Sequence, residues 1–284
     1  GAVAIPRELR HWFENRARGP DIPPSAERLI PSAPIVVLIT IDALRFDILD
    51  PKYRHVAPNL HEMRKNSVYF SQARSSGSDT RFSLGALFSG RHYSMLTWTW
   101  PRSGRRPTLE RDLLPRFPEL LQKAGVDTVT AVSLPSTLVS KYGIVRGFSE
   151  ELEMTFDKKY RSESEEITDR TIERLKQQGA RPMFFYTHLM EPHDPYDTYG
   201  KRPESKFEAY LLEVSVVDGY IGRIRRAIAE LGLKDRTALM IGADHGEGFG
   251  EHRIYTHGKT VYDIMVRVPV MIEIPGVAPR TVDD

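Results

Sequence analysis

The feature that most constrains this chain is the run Ile35-Val-Val-Leu-Ile-Thr-Ile41, rich in β-branched side chains and closed by Asp42. A strand apolar at almost every position cannot keep one face in water, so it belongs in the middle of a sheet covered on both sides. Such sheets are mostly parallel, and parallel neighbours are joined by crossovers that are usually helices. Similar runs at Val126–Val132, Met183–Thr187, Thr237–Ala243 and Val268–Ile274 supply the neighbouring strands. The clearest helix spans Ser205 to Leu231. Phe207, Leu211, Val214, Val217, Ile221, Ile224, Ile228 and Leu231 recur there in steps of three and four, and Gly232 is the stop. Pro58–Asn66, Leu113–Ala124 and Glu163–Gln178 read as shorter helices. The alternation predicts an α/β fold, with helices on both faces of a central, largely parallel sheet.

Residues 1–33 read as a separate segment, helix-like from Pro6 to Arg18 and then a linker punctuated by Pro20, Pro23, Pro24, Pro31 and Pro34. The main domain is 34–284. No apolar run approaches the roughly 18 to 20 residues that cross a bilayer. The chain begins at Gly1 rather than methionine, which reads as a processed or cut piece, so the lack of a membrane anchor is a property of this piece only. Forty basic against 38 acidic residues leave a net charge of +2, which argues against a nucleic-acid partner. The absence of cysteine excludes disulfides, thiolate zinc sites and cysteine nucleophiles.

In an open α/β sheet, ligands gather beyond the carboxyl ends of the strands. The first strand ends in Asp42, the strand at Met183–Thr187 in His188, and the strand at Thr237–Ala243 in Asp244-His245. The loop His188-Leu-Met-Glu-Pro-His193-Asp-Pro-Tyr196 adds a second histidine. The glycine-rich Asp244-His-Gly-Glu-Gly-Phe-Gly-Glu-His252 leads on to His257-Gly-Lys259. Five of the nine histidines fall between His188 and His257, so the imidazoles are concentrated where the carboxylates are. Carboxylates with imidazoles and no thiolate suit zinc or manganese better than magnesium or calcium. Gly77 to Gly90 reads as a turn and a helix that starts near Thr80, where free N–H groups and the helix dipole favour an anion. A hydroxyl there, facing a metal, is a candidate nucleophile, although threonine is also an ordinary N-cap.

Taken together, Ile39–Asp47, Ala57–Leu60, Thr80–Ser83 through Arg91, His188–Tyr196, Asp244–His252 and Arg267-Val-Pro269 resemble the sulfatase-like branch of the alkaline phosphatase superfamily, in that family's order. The resemblance implies an alkaline-phosphatase-like sandwich. True sulfatases of the branch carry a Cys/Ser-x-Pro-x-Arg motif; here Thr80-Arg-Phe-Ser83-Leu stands in its place, without the proline or the motif arginine. The pattern is closer to phosphoethanolamine transferases and lipoteichoic acid synthases, which use an unmodified threonine.

That likeness implies one divalent metal held by Asp42, Thr80, Asp244 and His245. It implies Thr80 as nucleophile, with His188, His193 or His257 as the acid for the leaving group. Asp42 departs from the glutamate common at the first ligand position of that class. Ser83 and Lys259 are the candidate substrate contacts, and Lys259 reads equally as a solvated side chain. The expected substrate is a phospholipid or another phospho- or sulfo-ester, acted on at the extracytoplasmic face of a bacterial membrane. The alternatives are a sulfuric ester hydrolase and a pseudoenzyme that only binds. Arg45 and Asp47 read as a local ion pair, Glu247 and Glu251 as residues that shape their loop, and His252 as structural or exposed. Trp98 and Trp100 read by default as core. The cluster Arg102, Arg105 and Arg106 reads as a solvated surface suited to anionic head groups.

Overall fold

The computed structural model describes residues 29–30, 32–100, 106–133, 137–155, 157, 159–197 and 203–283. The expected helix Pro6–Arg18, almost all of the 1–33 segment, and Arg102 and Arg105 lie outside them. Eight strands form one sheet: β1 (Ile35–Ile41), β2 (Val68–Phe70), β3 (Asp127–Val132), β4 (Glu150–Glu151), β5 (Met183–Leu189), β6 (Thr237–Ala243), β7 (Val270–Glu273) and β8 (Arg280–Val282). Their spatial order is β4-β3-β5-β1-β6-β7-β2-β8, and every pairing is parallel except those of β7 with β6 and β2. β1 is central, as its apolar run requires.

The helices are α1 (Pro58–Lys65), α2 (Thr80–Ser89), α3 (Phe117–Lys123), α4 (Glu163–Lys176), α5 (Lys206–Glu230) and α6 (Asp263–Val266). Two apolar cores sandwich the sheet. On one face Ile35, Val37, Ile39 and Ile41 pack with Leu60 of α1, Ile167 of α4 and the α5 stripe Val214, Val217, Ile221, Ile224 and Ile228. On the other, Val36, Leu38, Phe184 and Tyr186 meet Leu84 and Phe88 of α2 and Phe117 and Leu121 of α3. Side-chain parity along β1 therefore assigns each residue to one helical layer. Ser205 caps α5 in a reciprocal box with Glu208, and Gly232, at φ 68°, follows its last turn.

Three boundaries differ from expectation. The helix expected over Leu113–Ala124 begins only at Phe117. Arg116 itself is extended, at φ −91° and ψ 146°, and its buried guanidinium donates to Asp112 Oδ1, Leu114 O and Gly143 O, which holds the preceding residues out of the helix. β5 continues through His188 and Leu189, so His188 projects from the strand itself. The last expected strand shrinks to β7 and runs antiparallel. Trp98 sits against the α2–α3 core, whereas Trp100 is 70% exposed, a correction to the core reading for that residue.

Candidate active site

β5, β1 and β6 are adjacent and in register, with Ile41 opposite both Leu189 and Ala243. Their carboxyl ends therefore deliver His188, Asp42 and Asp244-His245 to one point. Parity places Thr40 beside His188 on the face covered by α2. Beyond Asp42 the backbone turns sharply, with Ala43 at φ 57°, a left-handed conformation uncommon outside glycine. The turn is clasped from two sides. Ala43 N donates to Asp244 Oδ1 (3.3 Å), while the buried Tyr210 hydroxyl donates to Ala43 O (3.1 Å) and accepts from Arg45 N (2.9 Å).

Thr80 is the first residue of α2, and the cap is its neighbour. Asp79 accepts from Arg81 N (3.0 Å), and its carboxylate also grips the Arg81 guanidinium. The Thr80 hydroxyl is thus released from capping. It lies 3.3 Å from Asp42 Oδ2 and 3.3 Å from His245 Nε2.

The cluster is fully enclosed and short of positive charge. Asp42 Oδ2 takes His188 Nε2 at 3.2 Å, and Asp244 Oδ1 accepts from His245 N at 2.9 Å. The other oxygen of each carboxylate, Asp42 Oδ1 and Asp244 Oδ2, is buried without a hydrogen-bond partner. His245 Nδ1 faces the Gly246 carbonyl at 2.9 Å, so it carries the proton and leaves the Nε2 lone pair facing the carboxylates. That nitrogen is 3.4 Å from Asp42 Oδ1 and 3.6 Å from Asp244 Oδ2. Acceptors turned toward one another, two of them without a hydrogen-bond partner, are the donor set of a cation. Asp42, Asp244 and His245 place one ligand atom each within 4.8 Å of one another. A divalent metal fits these residues.

The electrostatics agree. Burial, and then the charge of Asp42, push the Asp244 carboxyl above the usual range. For Asp42, burial acts in the same direction but is outweighed by the His188 hydrogen bond and the neighbouring histidines, which hold its carboxyl well down. The His188 ring, against the pull of burial, is raised by its bond to Asp42. Its Nδ1 is 2.8 Å from Thr40 Oγ1, which is 2.8 Å from the Tyr186 hydroxyl, so both ring nitrogens are engaged inside the protein.

The outer layer comes from the glycine-rich loop. Gly246 is needed for close approach, because a Cβ there would stand 2.0 Å from Ile264 O. Glu247 is buried and accepts at Oε2 from the Tyr196 hydroxyl (3.1 Å) and His257 Nδ1 (2.9 Å), and at Oε1 from Gly248 N (3.0 Å). His257 stacks on His245 with centroids 4.4 Å apart, and His193 lies edge-on to it at 4.9 Å. Burial favours a neutral His257, but Glu247 prevails and raises its pKa. Arg45 does more than pair with Asp47. Its Nη1 also donates to Glu247 O (3.1 Å) and Glu251 (2.7 Å), tying this loop to the turn after β1.

Of the sequence candidates, Asp42, Thr80, Asp244, His245 and His188 converge at the centre, with His193 and His257 beside them. Ser83 lies one turn along α2, buried, with its hydroxyl donating to Gly77 O (2.8 Å). Lys259 is exposed, as is His252, which stacks on Tyr262. Thr40, Tyr186, Tyr196 and Tyr210 are absent from the sequence candidates. The polar Thr40 and Tyr186 inside otherwise apolar strands were the available signal.

Residues 34–284 match the family model described as sulfatase. An endo-4-O-sulfatase from Bacteroides thetaiotaomicron is 23% identical in an alignment 147 residues long that covers 40% of this chain and 29% of that enzyme. The chain thus spans less than a third of this curated relative's length. Among solved structures, the soluble domain of lipooligosaccharide phosphoethanolamine transferase A from Neisseria meningitidis superposes with a TM-score of 0.65 at 20% identity, over 86% of this chain and 77% of that one. The phosphonate monoester hydrolase of Agrobacterium radiobacter gives 0.66 at 18% identity, over 88% and 70%. At such identities these two likenesses establish the fold alone.

Proposed function

We propose that this chain, which belongs to the sulfatase family and is an enzyme of it, transfers or hydrolyses a phosphoryl-linked group through Thr80. The observation that carries the reading is the Thr80 hydroxyl, freed from capping and 3.3 Å from both Asp42 and His245, beside two orphaned carboxylate oxygens. In this reading Asp42, Asp244, His245 and Thr80 hold one divalent ion, zinc or manganese by the chemistry of the donors. Such an ion lowers the pKa of the hydroxyl and polarises a phosphoryl oxygen.

The acidified Thr80 hydroxyl gives its proton to solvent before the reaction; its alkoxide Oγ1 attacks phosphorus as the bond from phosphorus to the leaving oxygen breaks, and that oxygen takes a proton from a histidine. His257 is the best-placed donor, because Glu247 occupies its Nδ1 and leaves Nε2 for the substrate. An acceptor hydroxyl or water then attacks the phosphothreonine, returns a proton to His257 and frees Thr80. His188, with both nitrogens engaged, orients Asp42. A phospholipid head group is the donor we favour, met at the extracytoplasmic face of a bacterial membrane; the fold likeness to the periplasmic domain of a phosphoethanolamine transferase from Campylobacter jejuni supports that location. Among the described residues, no helix is long and apolar enough to cross one.

The curated relative cited above is a sulfatase, which favours sulfuric ester hydrolysis as the second reading. Against it, a threonine cannot be converted to the formylglycine of true sulfatases, and the chain has no cysteine. The test compares a chromogenic phosphodiester with a chromogenic sulfate ester, with zinc or manganese present, for the wild type and Thr80→Ala. Phosphodiester turnover that falls about a thousandfold or more in the variant supports the proposal. Full turnover in a folded, metallated variant, or selective turnover of the sulfate ester, overturns it.

A further inference from the structure

A second charged cleft lies away from the metal cluster, at the β2–β8 edge of the sheet, with a volume of about 300 Å³. Three chain segments build it. Arg54 follows the short turn Pro51–Tyr53, Arg64 and Lys65 close α1, and Arg280 opens β8. No carboxylate lines it.

Its floor is already satisfied and its rim is not. The buried His61 ring donates from Nε2 to Ile48 O (3.1 Å), and Ser67 Oγ donates to Arg64 O (3.4 Å). The half-buried Arg64 guanidinium lies 4.5 Å from the Tyr69 ring centroid and donates from Nη1 to Leu49 O at 2.8 Å. That fixes its position while leaving its other N–H groups uncommitted to any described residue. Lys65 is held by Glu62 at 3.3 Å. The exposed side chains of Arg54 and Arg280 make no hydrogen bond or ion pair with a described residue. Arg64 and Lys65 alone could be read as complements to the C-terminal dipole of α1. Arg54 and Arg280 are not on that helix, yet they converge on the same cavity.

Three guanidiniums on one concave surface, one of them pre-positioned, match the geometry of a tetrahedral oxyanion that accepts forked hydrogen bonds. We propose that this cleft is a second, non-catalytic binding site for a phosphate- or sulfate-bearing ligand. It is separate from the Thr80 centre and does not depend on the reaction assigned there. A ligand seated here would tether a large anionic substrate or surface while a different part of it is processed.

The experiment titrates the metal-loaded protein with inorganic phosphate, using chloride at equal ionic strength as the control. It follows the arginine side-chain N–H resonances and the thermal midpoint. We expect the Arg54, Arg64 and Arg280 signals to move and the midpoint to rise by about 2–4 °C beyond the chloride control. The double variant Arg54→Gln/Arg280→Gln, both exposed positions, should lose the part of that rise that survives in Thr80→Ala. Vesicles of phosphatidylcholine with and without phosphatidic acid then identify the source. Retention on the acidic vesicles that the double variant loses assigns a lipid head group, and no retention assigns a soluble ligand. Arginine signals that stay fixed in phosphate, or a double variant whose response equals the wild type's, overturn the proposal.

Discussion

Glu247 is a buried carboxylate whose acceptor sites are all turned inward, to Gly248 N, the Tyr196 hydroxyl and His257 Nδ1. A partner of that kind fixes which ring nitrogen is free and makes the ring more basic. Burial works against a charged His257, and Glu247 more than offsets it, so the acid form persists to higher pH than in an ordinary histidine. For stability, this is a raised histidine. Its contribution is complete below the unfolded pKa near 6.5 and is lost as pH rises through the higher folded value. If His257 is the proton donor, as proposed, the same shift sets the alkaline limb of turnover. Glu247→Gln should therefore lower kcat by about 10–100-fold with little change in KM, and move the alkaline limb to lower pH. A pH–rate profile of wild type and variant checks this, and an unmoved limb would remove Glu247 from any role in proton transfer.

Among the elements, the turn after β1 depends on a helix distant in sequence. Tyr210 of α5 satisfies Arg45 N and Ala43 O together, and Ala43 is held at φ 57° between them. Tyr210→Phe keeps the ring in its stack with Phe207 and strands both backbone groups, at a cost of about 1–3 kcal/mol. The thermal midpoint should fall by about 2–4 °C per kcal/mol, and metal affinity should fall with it, since Asp42 lies at the start of this turn. A variant with unchanged midpoint and affinity would show that the turn holds itself.

This clasp also marks where the sequence stopped being informative. The long strands were legible because Ile35–Ile39 and Met183–Phe185 are apolar on both faces, and α5 because its stripe repeats over many turns. β2, β4 and β8 have two or three residues each, too few for a period to emerge. Asp42 and Asp244-His245 were legible because they follow strands directly, and His188 because it lies at the carboxyl end of one. Tyr210 was not, because an i−4 neighbour of Val214 reads as one more core aromatic until its hydroxyl is seen to reach Ala43 and Arg45. The turn from Asp79 to Thr80 was legible only to within a residue, and that residue decides whether the threonine caps or is free.

On the scale of the whole molecule, the sandwich brings the buried Asp42 and Asp244 together at one end of the sheet, where a cation would compensate them. Without a cation, Asp42 Oδ1 and Asp244 Oδ2 face His245 Nε2 and have no hydrogen-bond partner. Burial and the Asp42 charge raise the Asp244 pKa, so in the metal-free chain its ionised form opposes folding at neutral pH. That opposition fades as pH falls through the raised value. An asparagine in its place would still accept from His245 N and Ala43 N, and would turn its own N–H groups toward the orphaned Asp42 oxygen. Asp244→Asn should therefore stabilise the metal-free protein, by about 1 kcal/mol or more, one hydrogen bond gained and one repulsion removed. With metal present the sign reverses. Zinc or manganese at a hundredfold excess over Kd adds about 2.7 kcal/mol to the wild type, and the variant should forfeit most of it. Thermal unfolding of both proteins, in chelator and in metal, gives the four midpoints needed. A variant less stable than the wild type in chelator as well as in metal would mean that the carboxylate is held by the fold and not by an ion.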